Sequence, residues 1–80
     1  MITTREGVYH IEFAKSIYSV DMIDAATHDF ADAGEFVVGD QAHYPYYVVK
    51  FRPRQEYADD EDLPYAFVNH VLVCMKERQR

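Results

Sequence analysis

Hydrophobic and polar residues follow two different periods along this chain, and each period predicts a different kind of element. Residues 8–13 alternate between apolar and polar side chains, which is typical of a half-buried β-strand. Residues 44–52 alternate in the same way, and Pro53 ends that segment. The short apolar segment at residues 35–38 predicts one more strand, so that we expect three strands in all.

Two other segments repeat apolar residues every three or four positions, as α-helices do. The first predicted helix begins after Ser19, a good N-cap, and ends at Gly34 in a left-handed turn. The buried stripe of this helix is expected to consist of Ile23, Ala26, Phe30 and Ala33. The second predicted helix contains the longest apolar run in the chain, residues 63–75, and Asp62 is its expected N-cap.

The predicted order of elements is strand, helix, strand, strand, helix, in a single domain that covers residues 1–80. We therefore expect an α+β fold in which a right-handed crossover lets the third strand pair antiparallel with the first. This βαββα arrangement gives a three-stranded sheet in the order 1-3-2, with both helices packed on one face. The strand residues expected on that face are Tyr9, Ile11, Phe13, Tyr47, Val49 and Phe51.

The second predicted helix carries more apolar surface than one small sheet needs to cover it. Phe67 and Val71 lie on the line expected to face the sheet. A second apolar line beside it consists of Val68, Leu72 and Met75. We interpret this additional apolar surface as a binding site for a partner chain.

A second candidate surface lies on the predicted strand at residues 44–52. Tyr46, Val48, Lys50 and Arg52 step by two and therefore share the sheet face opposite the helices. Aromatic and aliphatic residues that lead into basic ones are suited to an acidic or extended peptide, or to a second copy of the sheet. The alternative interpretation is an ordinary solvated face made of strand-forming residues.

The charge balance narrows the class of partner. Fourteen acidic residues stand against eight basic ones, a net charge of −6, and a field of that sign repels nucleic acids and anionic membranes. The apolar run at residues 63–75 is too short to span a bilayer, and residues 1–6 lack the apolar core of a signal peptide. Because a single cysteine also suits a reducing compartment, we expect a cytoplasmic protein.

The sequence contains no arrangement of residues that predicts catalysis or a cofactor. His70 and Cys74 are four residues apart and would share one helix face, so that they offer two metal ligands. The remaining histidines, at positions 10, 28 and 43, are scattered without ligand spacing. We therefore interpret the pair as a core thiol beside a half-buried imidazole, and predict no metal site.

Residues 15–26, followed by Phe30 and the strand at residues 37–38, resemble the D component of the bacterial His-Xaa-Ser system. Phe67, Val68 and Asn69, with Leu72, are similar to the C-terminal signature of that family, although residues 73–78 depart from it. Members are small proteins encoded beside two radical-SAM enzymes and a protein that bears His-Xaa-Ser repeats. The resemblance implies an accessory role in peptide or protein maturation and implies no catalytic residue.

These observations favour a non-enzymatic accessory or adaptor protein that acts through protein–protein contacts. Its partner would be a modifying enzyme or a substrate peptide, and a homodimer is a further possibility. The rival hypothesis is an acidic inhibitor or immunity protein, either a nucleic-acid mimic or a toxin-neutralising protein. The aspartates that such an inhibitor would present are Asp21, Asp24, Asp29 and Asp32.

Overall fold

A computed structural model describes residues 2–78 of the chain. Two helices and four strands make up this part of the molecule, and short 3-10 turns follow α1 and β4 at Ala31–Ala33 and Gln55–Tyr57. In chain order the elements are β1 (Ile2–Arg5), β2 (Val8–Ala14), α1 (Val20–Asp29), β3 (Gly34–Gly39), β4 (Tyr46–Pro53) and α2 (Leu63–Arg78).

The four strands form one antiparallel sheet in the order β1-β2-β4-β3. The predicted α+β class is therefore confirmed, and so is the order of the three predicted strands, which correspond to β2, β3 and β4. The predicted number of strands is wrong, because β1 adds a fourth strand at the β2 edge. β1 turns into β2 through Glu6 and Gly7, which both have positive φ angles, 53° and 77°, as a two-residue type I′ hairpin loop requires.

Both helices cover the same face of the sheet, as predicted. The fully buried side chains there include Phe13, Phe51 and Phe67, which come from β2, β4 and α2. The ring of Phe67 lies 4.7 Å from that of Phe36 and 5.6 Å from that of Phe30, measured between centroids. Further core residues at the same interface are Ile11, Ile23, Ala26, Val49 and Val71. An aromatic cluster therefore holds the helices to the sheet.

α1 begins as the sequence predicts but ends earlier. The Ser19 side chain accepts a hydrogen bond of 3.3 Å from the Asp21 backbone N–H, which is N-cap geometry. The helix stops at Asp29, and Gly34 is instead the first residue of β3 with an extended φ of 163°. A Cβ atom at position 34 would collide with the Arg52 carbonyl oxygen on β4 and would lie 2.7 Å from Pro53 Cα. The predicted left-handed turn is wrong, and close strand approach is what requires glycine here.

α2 packs on the sheet through one of its sides. The Asp62 carbonyl oxygen accepts a 2.9 Å hydrogen bond from the Ala66 N–H, so that the helix begins where the sequence predicts. Pro64 lies in the first turn and is buried. A backbone N–H at this position would have no partner within the helix, so that proline costs no helical hydrogen bond. On the opposite side of this helix Tyr65 is 59% exposed and Val73 45%.

Candidate functional site

One face of the sheet carries no helix from the described part of the chain, and its residues alternate along each strand with the core residues. The register places Thr3, His10, Lys50 and Val37 side by side across the four strands. Because Ile11 and Val49 on the neighbouring row are buried against the helices, this row points to the other side. We call this surface the open sheet face.

The four residues of β4 that the sequence predicts as a binding surface all lie on the open sheet face. Lys50, Arg52 and Tyr46 are exposed, and Val48 is half-buried between its neighbours. Val37 on β3 is 63% exposed and extends the apolar part of the surface toward the sheet edge. β1 contributes Thr3 to this face, although the sequence analysis predicted no strand at residues 2–5.

Among the clefts on this face, two adjacent ones share Val37 and Lys50 in their walls. The first, of about 320 Å³, is lined mainly by charged side chains, the cations Arg5, Lys50 and Arg52 together with Glu6 and Glu35, and also includes His10. The second, of about 440 Å³, is more apolar and includes Tyr44, Tyr46 and Val48. The two clefts adjoin along β4, so that this surface has a basic half and an aromatic half.

Tyr44 is fixed at the aromatic half by a bond to β2. Its hydroxyl donates a 2.8 Å hydrogen bond to Glu12 Oε2, and its ring lies 5.9 Å from the ring of Tyr46. The hydrogen bond to Glu12 raises the pKa of Tyr44 above its ordinary value of 10.0, and repulsion between the carboxylate and a tyrosinate adds to the shift. Tyr44 therefore presents a neutral, oriented ring at the cleft.

The loop that carries Tyr44 is held by Lys15, at the end of β2. The ammonium group lies 2.7 Å from Asp40 Oδ1 and donates a 2.7 Å hydrogen bond to the Gln41 carbonyl oxygen. The same nitrogen lies 5.4 Å from the centre of the Tyr47 ring, within the range of a cation–π contact. His43 takes a positive φ of 70° within this loop and turns the chain toward β4.

Glu6 and Glu35 line the basic half of the open sheet face together with its cations, but among residues 2–78 neither Lys50 nor Arg52 forms an ion pair. Among residues 2–78, no Asp or Glu oxygen lies within 4.0 Å of the side-chain nitrogens of Lys50 or Arg52. Glu35 stands directly opposite Arg52 in the β3–β4 register without reaching that distance. These two cations are therefore available to a negatively charged ligand.

The apolar line predicted on the outside of α2 is divided between surface and core. Leu72 is 38% exposed, whereas Val68 and Met75 are half-buried and pack against the core cluster. Tyr65 and Val73 are more exposed than Leu72 and were not among the residues predicted for a partner. The exposed apolar surface of α2 is thus displaced from the predicted line toward Tyr65 and Val73.

The aspartates of α1 do not form one common surface. Asp21, Asp24 and Asp32 are exposed. Asp29 instead lies 2.7 Å from His70 Nε2, through its Oδ2 atom, and so links α1 to α2. Cys74 joins these two residues, since one ligand atom from each of the three lies within 4.8 Å of the others. The sequence pattern identified His70 and Cys74 but gave no sign that Asp29 would meet them.

Comparisons of the chain with protein-family models, with curated proteins and with solved structures find no match. Within residues 2–78, the length and hydropathy of the helices fall short of what crossing a bilayer requires.

Proposed function

We propose that this chain is a non-enzymatic adaptor that binds an acidic, extended segment of a partner protein on the open sheet face. The observation that carries this proposal is that Lys50 and Arg52 form no ion pair with any described residue and lie beside exposed apolar side chains, in a protein of net charge −6. In a protein of this charge, a local basic surface is the part that a negatively charged peptide approaches with least repulsion.

The two halves of the surface would bind different parts of the peptide. Tyr44, Tyr46 and Val48 offer rings and methyl groups against which an apolar side chain of the peptide packs. Lys50 and Arg52 continue in the same direction along β4 and pair with carboxylates further along the peptide. Because the two clefts follow one another along β4, from Tyr46 to Arg52, they suit an extended segment better than a compact small molecule.

The system in which such an adaptor works is proposed from the resemblance to the D component of the His-Xaa-Ser system. That resemblance favours an accessory role in peptide maturation, with a modifying enzyme or its substrate peptide as the partner. The genes that neighbour this one provide a direct test. Adjacent radical-SAM genes and a repeat-bearing substrate would support the assignment, whereas an adjacent toxin or nuclease gene would favour the inhibitor hypothesis.

The binding surface can be tested with a peptide-display library and a matched pair of charge reversals. We expect selected peptides to be acidic, to bind more weakly as salt is raised, and to lose at least tenfold in affinity for the Arg52→Glu variant. Arg54→Glu is the control, because it makes the same change of charge two residues away, beyond the end of β4. Equal loss in both variants would show a general charge effect and would contradict a site on the open sheet face.

A further variant distinguishes this surface from α2. Leu72→Glu places a charge on the exposed side of α2, where we expect the fold and the peptide affinity to remain unchanged. Loss of peptide binding in Leu72→Glu, with binding retained in Arg52→Glu, would move the site to α2. Dimerisation of the unmodified chain that disappears in Arg52→Glu would show that a second copy of the sheet, rather than a partner's peptide, covers the open sheet face.

A further inference from the structure

A carboxylate, an imidazole and a thiol converge where the two helices pack together. His70 and Cys74 are one turn apart on α2, and Asp29 is the last residue of α1. One ligand atom from each residue lies within 4.8 Å of the other two. The cluster belongs to the helix side of the sheet and is therefore separate from the open sheet face.

These three donors match the preferences of a particular class of metal ion. Thiolate sulfur and imidazole nitrogen are ligands of Zn²⁺ and neighbouring transition metals, whereas Mg²⁺ and Ca²⁺ prefer sites made of oxygen atoms alone. A site with three protein ligands leaves a fourth tetrahedral position for water. The donor set is thus that of a zinc site with one open position.

The position of Asp29 adds an electrostatic reason for a cation. Carbonyl groups at the C-terminal end of a helix carry partial negative charge, so that a carboxylate there is unfavourable by itself. Asp29 occupies that end of α1, and its carboxylate points toward α2 rather than toward solvent alone. A divalent cation between Asp29 and α2 would compensate both the carboxylate and the helix terminus.

The side chains need only small movements to bind a metal. Bond lengths of about 2.0–2.3 Å place the ligand atoms of a tetrahedral zinc site roughly 3.3–3.7 Å apart. The Asp29–His70 distance of 2.7 Å must therefore lengthen, and any separation close to the 4.8 Å limit must shorten. The side chains of His70 and Asp29 are 32% and 53% exposed, which leaves them room to adjust.

From this geometry we infer that Asp29, His70 and Cys74 form a zinc-binding site that ties the end of α1 to α2. Binding would replace the direct Asp29–His70 hydrogen bond with two bonds to one ion and add a third from Cys74. Since the ion binds the folded arrangement of two helices, it would stabilise the protein against unfolding. This inference does not depend on the proposed peptide-binding function.

The test uses untagged, full-length protein that has been stripped with a chelator and then titrated with Zn²⁺ or Co²⁺. We expect one ion per chain and, with Co²⁺, absorption bands typical of tetrahedral coordination with a sulfur ligand. At free zinc of about 100 times the dissociation constant, the midpoint of thermal unfolding should rise by roughly 10 °C or more. Affinity should fall as the pH is lowered, because protons compete for the thiolate and the imidazole.

Three variants connect the binding to these side chains. Cys74→Ser and Asp29→Asn should each weaken zinc binding by at least tenfold, while far-UV circular dichroism shows that the metal-free proteins remain folded. His28→Gln is the matched control, because His28 is exposed in the same last turn of α1 and should not affect binding. Less than about 0.2 ions per chain, or binding that is unchanged in Cys74→Ser and Asp29→Asn, would overturn the inference and leave the Asp29–His70 hydrogen bond as a structural contact only.

Discussion

Replacement of Phe67 by alanine tests how the aromatic cluster holds the two layers together. Phe67 is completely buried, and its ring lies within 6.5 Å of four other aromatic rings, measured between centroids. Those rings belong to Phe13, Phe30, Phe36 and Phe51. The substitution therefore removes the one ring of α2 that contacts three of the strands and the end of α1.

The expected loss of stability is large for a chain of this size. Burying a phenylalanine removes about 150–200 Å² from water, which at about 25 cal/mol/Å² corresponds to roughly 4–5 kcal/mol. Measured Phe→Ala changes in protein cores fall at about 3–5 kcal/mol. A chain of 80 residues has a total free energy of unfolding of roughly 4–12 kcal/mol. We therefore expect Phe67→Ala to lose between about a quarter and all of the stability.

Urea unfolding followed by far-UV circular dichroism provides the measurement, since the chain has no tryptophan to report by fluorescence. Tyr65→Ala is the control in the same helix, because Tyr65 is 59% exposed and should change the free energy of unfolding by no more than about 0.5 kcal/mol. A loss of less than about 1 kcal/mol for Phe67→Ala would refute the packing described for α2. A loss of similar size for Tyr65→Ala would refute it as well.

Two further predictions concern the sheet. Gly34→Ala should lower the free energy of unfolding by about 1–3 kcal/mol, because β3 must move away from the Arg52 carbonyl and Pro53 Cα to admit the methyl group; a loss below about 0.5 kcal/mol would contradict that close approach. In an ultraviolet titration of tyrosine ionisation, Tyr44 should ionise at higher pH than in the Glu12→Gln variant. Because the pKa of Tyr44 is higher in the folded state, the stabilisation is present below pH 10 and is lost as the pH rises through the folded-state pKa; identical titrations would contradict the hydrogen bond.

The strands and helices that the sequence predicted are those with strong periodic patterns. β2 and β4 alternate over seven and eight residues, and the apolar positions of α2 repeat over most of its length. β1 was missed because it has only four residues, and three of them are exposed. The useful signal was a pair of β-branched threonines followed by Glu6-Gly7, a two-residue loop. Glutamate is uncommon at a positive φ angle, so that the loop did not resemble the usual Asn-Gly or Asp-Gly pair.

For the candidate sites as well, the sequence predicted what a local pattern determines and missed what tertiary packing determines. The alternation along β4 was enough to place Lys50 and Arg52 on a face opposite the core, since strand period alone determines that side. The meeting of Asp29 with His70 depends on where α1 ends and how it crosses α2, across 41 positions of sequence. A helix that continued to Gly34, as predicted, would have left Asp29 in mid-helix. The shorter helix and the tertiary packing, neither visible in the pattern, created the cluster.

The uneven distribution of apolar surface follows from the number of elements available to cover the sheet. Two helices cover one face of a four-stranded sheet, and the aromatic cluster fills the space between the layers. No helix within residues 2–78 lies over the other face, and Val37 and Tyr46 expose apolar side chains there. A sheet face that contacts only solvent usually carries polar residues at such positions. These exposed apolar side chains, beside Lys50 and Arg52 that form no ion pair within residues 2–78, are the reason that we propose a ligand of opposite charge for this face.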